Sequence, residues 1–357
     1  QGDLARISDA ELDRMRALGF DFIRLPVDVA PFLEADDDEA GQLFDIMRQW
    51  VLRLRGRGLA VLLDMHSDTY ESNWRPPDIL ADPPNGKFER YADFLAEVAA
   101  YFEDQPAGSF ALGLMNEPQP VCERKDAEDW TVSQKRLFDT VRAVAPAMPL
   151  VVTGGCWASP DGLMRLDPSD YDAMTLYDFH FYEPYYFTHQ SIGWASPPVR
   201  YIAGLSWPAQ SGSLEKTMGE TKARLARLEE GGSPQPGDAF AAAGKDVADY
   251  YGRQRPDAGT VAARFDDIAV WANANGVDPG RIVMGEFSAI RWPAGVADDG
   301  SRLRWLAAVR KAAEDHGIGW ALWDYFEGFG LLADNAARIV DPGTAAALGL
   351  NLDALEP

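Results

Sequence analysis

Short apolar runs alternate with amphipathic helical stretches along most of the chain, and this alternation constrains the fold more than any other feature of the sequence. Strands that are buried on both faces of a parallel sheet read as near-continuous Val/Ile/Leu runs, as VLLDM and LVVTGG do here. The helical stretches lie between these runs, which is the order that builds a parallel α/β sheet. Seven strands are predicted in this way, over 22–27, 60–66, 110–117, 150–155, 175–182, 282–288 and 319–325.

The helices are predicted from apolar residues that recur with a period near 3.6. Ser8 is followed three residues later by Glu11, which is the spacing of a capping box, so we expect a helix to begin there and to end near Gly19. The other helices are expected over 42–55, 91–102, 129–144, 213–229, 261–275 and 301–316.

An alternating chain of 357 residues fits one (β/α)8 TIM barrel, because such barrels reach this length as a single domain when they carry insertions. We therefore expect a single domain over 1–357. The chain opens on a helix, so the first of the eight strands is expected to be absent from this sequence. Residues 183–259, after strand six in the count of eight, exceed an ordinary βα loop and are predicted to be an inserted loop region carrying one helix.

Composition excludes several classes of function. The chain has 33 Lys and Arg against 56 Asp and Glu, a formal charge of −23, so a nucleic-acid partner is not expected. No apolar stretch approaches the ~18 residues that would span a bilayer, so no membrane span is expected. The two cysteines, Cys122 and Cys156, exclude a disulfide scaffold. Each follows one of two adjacent strands, and both a disulfide and two free thiols are open.

Polar side chains stand at the carboxyl ends of the predicted strands, which meet at one mouth in a barrel. Ionisable groups beside an apolar barrel interior need either a partner of opposite charge or a catalytic or binding role. Two of them are carboxylates on separate strands, Glu117 and Glu286, and paired carboxylates are the minimum equipment of glycoside hydrolysis. The others are Arg24, His66, Asn116, His180, Tyr182 and Trp323.

The motifs IRLP, LDMH, NEP, HFY, GEF and a late Trp, in this order and each at a strand end, resemble the cellulase family, family 5 of the glycoside hydrolases. The match covers about residues 12–331. The resemblance implies that Glu117 is the acid/base and that Glu286 is the nucleophile of a retaining barrel glycosidase. It also implies that the sugar pocket is completed by Arg24, His66, His180, Tyr182 and Trp323.

Physical chemistry favours the same roles. Glu117 has to hold its proton near neutral pH while Glu286 stays ionised. Arg24 is the expected cation beside Glu286, and Tyr182 the expected hydrogen-bond donor to it. Asn116 suits a sugar 2-hydroxyl, a contact that strengthens in the transition state. The ring of Trp323 would face the pyranose, and the two histidines His66 and His180 would orient their neighbours.

The resemblance implies an endo-β-1,4-glucanase that acts by double displacement on a β-glucan or related oligo- or polysaccharide and needs no cofactor. A β-mannanase or an exo-β-glucanase on the same fold stays open, as does a non-catalytic carbohydrate-binding barrel. No metal is expected: Asp64-x-His66 with His180 could indicate zinc, but the H-x-H of barrel metallohydrolases is missing. From this function we expect a secreted or periplasmic protein, although no signal peptide is visible.

Several other aromatic residues are open to two interpretations, either sugar platforms or ordinary packing. The inserted region begins directly after the strand end that carries His180 and Tyr182, so we expect it to border the sugar cleft. His189 is predicted to anchor its loop. The candidate platforms are Trp157, Tyr185, Tyr186, Trp194, Trp207 and Trp292.

Overall fold

The structure is a computed structural model that describes residues 7–67, 72–81, 85–119, 130–293 and 295–355. Seven strands form one sheet in the order β1 to β7, and the pairs from β1–β2 to β4–β5 are parallel. All seven predicted strands are confirmed. The bounds are β1 Phe22–Val27, β2 Ala60–Met65, β3 Phe110–Gly113, β4 Leu150–Thr153, β5 Thr175–Phe181, β6 Ile282–Phe287 and β7 Gly319–Leu322.

The predicted helices are confirmed as well, with shifted ends. At the first, the Ser8 side chain accepts from the backbone N–H of Glu11, whose carboxylate accepts from the Ser8 N–H, so the capping box is present. The bounds are α1 Asp9–Leu18, α2 Ala30–Glu34, α3 Asp37–Arg55, α4 Pro76–Ile79, α5 Lys87–Tyr101, α6 Trp130–Val144, α7 Gly155–Ala158, α8 Pro160–Leu163, α9 Tyr185–Thr188, α10 Leu214–Glu230, α11 Ala239–Asp249, α12 Ala258–Ala274, α13 Ser301–Asp315 and α14 Pro342–Ala347.

The chain packs as two compact units. Unit 1 comprises Gln1–His180, Trp271–Gly285 and Asp353–Pro357, and unit 2 comprises Phe181–Val270 and Glu286–Leu352. The expectation of a single domain over 1–357 stays a prediction. The expected absence of a first barrel strand concerns the region before Ile7, which lies outside the described residues.

Unit 1 holds β1 to β4 and most of β5 and β6. Every residue of β3 and β4 is buried, as their continuous apolar sequences predict. Leu62, Ala111 and Val151, from three neighbouring strands, form one apolar cluster against which Phe22 and Leu176 pack. This apolar interior leaves polar groups for the strand ends, where the candidate site residues lie.

Unit 2 holds β7, the end of β6, a two-stranded antiparallel sheet (β8 Leu332–Asp334, β9 Ile339–Val340) and the inserted region. The expectation of one helix in the insertion was wrong. Besides α10, it contains α9, α11 and a π-helical turn, Tyr250–Gln254. The alanine-rich sequence of α11 has the high helix propensity that outweighs the Gly- and Pro-rich stretch before it.

The inserted region also supplies core to unit 2. Leu205 is fully buried, and its backbone N–H and C=O are both satisfied by the side-chain amide of Gln190. Trp207 is only 2% exposed, so of the two interpretations that the sequence left open for this indole, ordinary packing is the one that holds. A buried indole contributes packing area and has no face to offer a ligand.

Two further observations bear on the sequence-based expectations. Among the described residues, no helix combines the length and the apolar character that crossing a bilayer requires. Cys156 is disulfide-bonded, whereas Cys122 lies outside the described residues. Cys156, Trp157 and Ala158 have φ between 54° and 58°, so α7 is a left-handed turn that directly follows β4.

Candidate active site

Glu117 lies four residues beyond the end of β3 and is held by a histidine on β5. Its Oε1 is 2.7 Å from His180 Nδ1, and the imidazole is buried while the Glu117 side chain is 28% exposed. Glu117 has a φ of 39°, in the left-handed region that non-glycine residues rarely adopt. Such backbone strain persists where the surroundings fix it and concentrates at functional sites. The carboxylate is therefore both positioned and accessible.

Asn116 is fixed by a second group of side chains in unit 1. Arg24 Nη2 donates to Asn116 Oδ1 at 2.7 Å, and the Asn116 amide nitrogen lies 3.3 Å from His66 Nε2. Arg24 also forms a buried ion pair of 2.9 Å with Asp64, whose other neighbour is His66 Nδ1 at 3.1 Å. Three side chains, from β1, from β2 and from the residue after β2, thus set the orientation of the Asn116 amide.

Asp64 is the member of this group to which the sequence motifs assigned no role. Burial opposes its ionisation, but Arg24 and then His66 outweigh burial and hold the pKa of Asp64 below its ordinary value. A cation already sits against this carboxylate, which opposes capture of a metal ion there. The D-x-H spacing could have indicated the contact, because alternate strand residues share a face.

Asp178 precedes His180 by two residues on β5, in the same D-x-H spacing, and was also missed. It is 6% exposed, and its Oδ2 lies 3.4 Å from His180 Nε2. The imidazole of His180 therefore faces Glu117 with one nitrogen and Asp178 with the other.

Glu286 is the penultimate residue of β6, belongs to unit 2 and is 4% exposed. The Tyr182 hydroxyl donates to Glu286 Oε2 at 2.9 Å, so the hydrogen bond expected from the sequence is present. The expectation that Arg24 keeps Glu286 ionised stays a prediction.

The Tyr182 ring is packed by residues of the inserted region and of the β7–β8 loop. His189 contacts it edge-on, with ring centroids 5.0 Å apart, and Phe329 does so at 6.1 Å. Burial lowers the pKa of His189 to about 3, so this imidazole is neutral at ordinary pH and behaves as an aromatic packing group. The inserted region thus helps to fix the tyrosine that binds Glu286.

Trp323 directly follows β7, and its backbone N–H donates to the carbonyl of Phe287, the residue after Glu286. The indole is half-buried. The next residue, Asp324, is a third carboxyl that the motifs did not indicate. Burial, with the charges of Glu327 and Glu286, raises the pKa of Asp324 to about 7.

Three of the candidate platforms are exposed: Trp194 at 58%, Trp157 at 51% and Tyr185 at 42%.

The structure places the predicted site residues in two groups, one in each unit. Unit 1 contains Arg24, His66, Asn116, Glu117 and His180, whereas unit 2 contains Tyr182, Glu286 and Trp323.

Solved structures share this fold. Cel5A of Thermotoga maritima, solved with cellobiose and with mannotriose, matches with a TM-score of 0.68 at 20% identity, covering 96% of this chain and 90% of its own. A family 5 xyloglucanase from Paenibacillus pabuli matches with a TM-score of 0.68 at 16% identity, covering 98% of this chain and 91% of its own. The predicted fold class, the (β/α)8 TIM barrel, is confirmed.

Sequence comparisons carry the identification further. Endoglucanase C of Acetivibrio thermocellus is 24% identical over 326 residues, which cover 89% of this chain and 84% of that protein. The fold and the sequence relatives are those of a glycoside hydrolase. The family model for cellulase, glycosyl hydrolase family 5, matches residues 5–327, so the chain belongs to this family, as its motifs predicted.

Proposed function

We propose that the protein is a retaining endo-β-1,4-glucanase in which Glu286 is the nucleophile and Glu117 the acid/base. The observation that carries the proposal is that each glutamate has a hydrogen-bonding partner suited to its role within the matched family region. Glu286 is nearly buried and accepts from Tyr182, whereas Glu117 is partly exposed and lies against His180.

The reaction has two steps of opposite proton transfer. In the first, a Glu286 oxygen attacks the anomeric carbon, the glycosidic C–O bond breaks, and Glu117 gives its proton to the leaving oxygen. In the second, a water attacks the anomeric carbon, Glu117 takes its proton, and the bond to Glu286 breaks. Glu286 is ionised again at the end and Glu117 is protonated.

The surroundings of each carboxylate support this division. Tyr182 binds Oε2 of Glu286 and so fixes the orientation of the attacking carboxylate. Glu117 needs access to both the leaving oxygen and the incoming water, and its 28% exposed side chain provides that access. Asn116, oriented by Arg24 and His66, is placed next in sequence to bind the sugar 2-hydroxyl.

We propose a β-1,4-glucan as the substrate because Endoglucanase C, a relative over most of the chain, is named for internal cleavage of a glucan, and a solved structure of the same fold is titled an endo-β-1,4-glucanase. The mannotriose complex of Cel5A makes β-mannan the second candidate. An exo-acting β-glucanase is the third.

A substrate panel tests the proposal. We expect reducing ends from carboxymethylcellulose faster than from β-mannan, with viscosity falling early because an endo-acting enzyme cuts within chains. Glu286→Gln is the control for contaminating activity. Absence of reducing ends from every polysaccharide, with binding retained, would identify a carbohydrate-binding barrel instead.

We also propose that the protein is secreted or periplasmic. Cys156 is disulfide-bonded, and disulfides persist mainly in oxidising compartments. Fractionation of the native host with an antibody to the protein is the test, and recovery in the cytoplasm would contradict the proposal.

A further inference from the structure

Asp178 is a buried carboxylate that the proposed reaction does not use. It lies on β5, two residues before His180, and is 6% exposed. Its Oδ2 faces His180 Nε2 at 3.4 Å, and within the described residues its Oδ1 is buried without a hydrogen-bond partner. An ionisable group in such surroundings is costly unless its charge serves a neighbour.

The backbone of β6 is shaped to accommodate this carboxylate. A Cβ atom at Gly285 would lie 2.2 Å from Asp178 Oδ1 and 2.9 Å from its Cγ, far inside contact distance. Any side chain larger than hydrogen at residue 285 would displace Asp178. The glycine before Glu286 therefore provides the space that lets Asp178 face His180.

Glu117, His180 and Asp178 form a chain with the imidazole in the middle. His180 Nδ1 is 2.7 Å from Glu117 Oε1, and His180 Nε2 faces Asp178. A neutral imidazole has one N–H for its two nitrogens. When that N–H is on Nε2, at ion-pair distance from Asp178, Nδ1 accepts from protonated Glu117. When Glu117 is ionised, a second proton on Nδ1 makes an imidazolium between two carboxylates.

We propose that Asp178 is a positioning residue that acts through His180 on the proton of Glu117. The inference rests on the proposed function, because it gives the acid/base a second place to hold its proton. In the water step, the proton that Glu117 accepts passes from Oε1 to Nδ1 of His180 and returns before the next glycosidic bond is cut. The transfer breaks the O–H bond on Glu117 and forms an N–H bond on His180. The return reverses both changes, and no other reactant is needed.

Other charged and polar groups lie near these three side chains, and Asp178 is the carboxylate that approaches Nε2 to 3.4 Å. From β2, Asp64 lies within electrostatic range of His180, but Arg24 at 2.9 Å offsets it. From β4, Thr153 contributes a neutral hydroxyl that donates to the Asp178 carbonyl at 3.1 Å. On β6, Gly285 carries no charge, and Glu286 is the next residue along the chain. Glu117 itself lies four residues after β3.

Imidazole ¹⁵N NMR tests the inference without relying on activity. The chain has four histidines, so His180 is assignable by substitution of the others. In Asp178→Asn, we expect the midpoint of the His180 titration to fall by one pH unit or more, because the negative charge that stabilises the imidazolium is gone. Asp170→Asn changes an exposed carboxylate that precedes β5 in sequence. This matched control should leave the midpoint of the His180 titration in place. An equal midpoint in Asp178→Asn and wild type would overturn the inference.

Kinetics then tests the coupling to the reaction. The alkaline limb of kcat/KM should move to lower pH in Asp178→Asn for substrates with poor leaving groups, and stay in place for aryl glycosides that need no protonation. Gly285→Ala should reproduce the shift, and Gly285→Ala/Asp178→Ser should equal Asp178→Ser alone, since the shorter side chain removes the clash. If wild type hydrolyses glucan but its alkaline limb is unchanged in both single variants, the inference fails while the proposed function stands. A wild type without hydrolysis refutes the proposed function, and the NMR titration still decides the role of Asp178.

Discussion

The Tyr182 hydroxyl donates to Oε2 of Glu286 at 2.9 Å, so one oxygen of the proposed nucleophile is occupied before any sugar binds. Tyr182 is itself fixed by the rings of His189 and Phe329. The inserted region and the β7–β8 loop therefore determine where Glu286 points, although neither contributes a catalytic carboxylate. The residues that orient the Glu286 carboxylate therefore all belong to unit 2.

Removal of this hydrogen bond should slow the reaction more than it weakens the fold. A hydrogen bond to a charged group contributes about 1.5–3 kcal/mol, so we expect Tyr182→Phe to lower kcat by about 10- to 100-fold. Initial rates on cello-oligosaccharides give the number. Tyr171→Phe, which removes a hydroxyl that accepts from Gln134, is the matched control. Equal rates for the two variants would show that the hydrogen bond to Glu286 has no part in catalysis.

The two glutamates should respond differently to the leaving group. Glu286→Gln should abolish turnover of every substrate, because no covalent intermediate forms. Glu117→Ala should still cleave aryl glycosides with good leaving groups, which need no proton, and azide should restore its rate by intercepting the glycosyl-enzyme. Rates across a series of leaving groups provide the measurement. Identical behaviour of both variants would show that the roles are wrongly assigned.

Asp324 should make stability depend on pH. Its pKa is raised from 3.8 to about 7 in the folded protein, so between these values the unfolded chain loses the proton that the folded protein keeps. Stability from this group is complete below pH 3.8 and is lost as pH rises through 7. A difference of about 3 in pKa corresponds to about 4 kcal/mol as an upper value.

Urea unfolding at pH 4, 6 and 8 checks this expectation. Asp324→Asn cannot ionise, so its free energy of unfolding should rise relative to wild type between pH 4 and pH 8. Asp38→Asn, at an exposed position in the first turn of α3, should run parallel to wild type. Parallel curves for Asp324→Asn as well would mean that Asp324 ionises normally in the folded protein.

Two tryptophans of the inserted region should have opposite effects. Trp194 is 58% exposed, so Trp194→Ala should raise KM for long oligosaccharides with little change in stability. Trp207 is 2% exposed, so Trp207→Ala should cost about 3–5 kcal/mol of stability. Kinetics on short and long cello-oligosaccharides, with thermal unfolding of both variants, separates the two effects. Unchanged KM in Trp194→Ala would show that the exposed part of the insertion serves something other than the sugar.

The strands, the helices and the site residues at the strand ends could be predicted because they depend on local pattern and on motif order. Asp64 and Asp178 could not be assigned roles, since each depends on what another strand offers. Gly113 lies opposite Asp64 in the register of β2 and β3, and Gly285 leaves the space that Asp178 fills. The burial of Trp207 could not be predicted, because a Pro- and Gly-rich sequence resembles a surface loop, whereas Gln190 satisfies the neighbouring backbone and allows burial.

The anomeric form of the first product tests the central claim most directly. Double displacement by Glu286 and Glu117 retains configuration and requires carboxyl groups about 5–5.5 Å apart, whereas inversion leaves room for a water at about 6.5–9.5 Å. Proton NMR of cello-oligosaccharide hydrolysis, recorded before mutarotation, should show the β anomer appearing first. Initial release of the α anomer would contradict the assignment of Glu286 as the nucleophile.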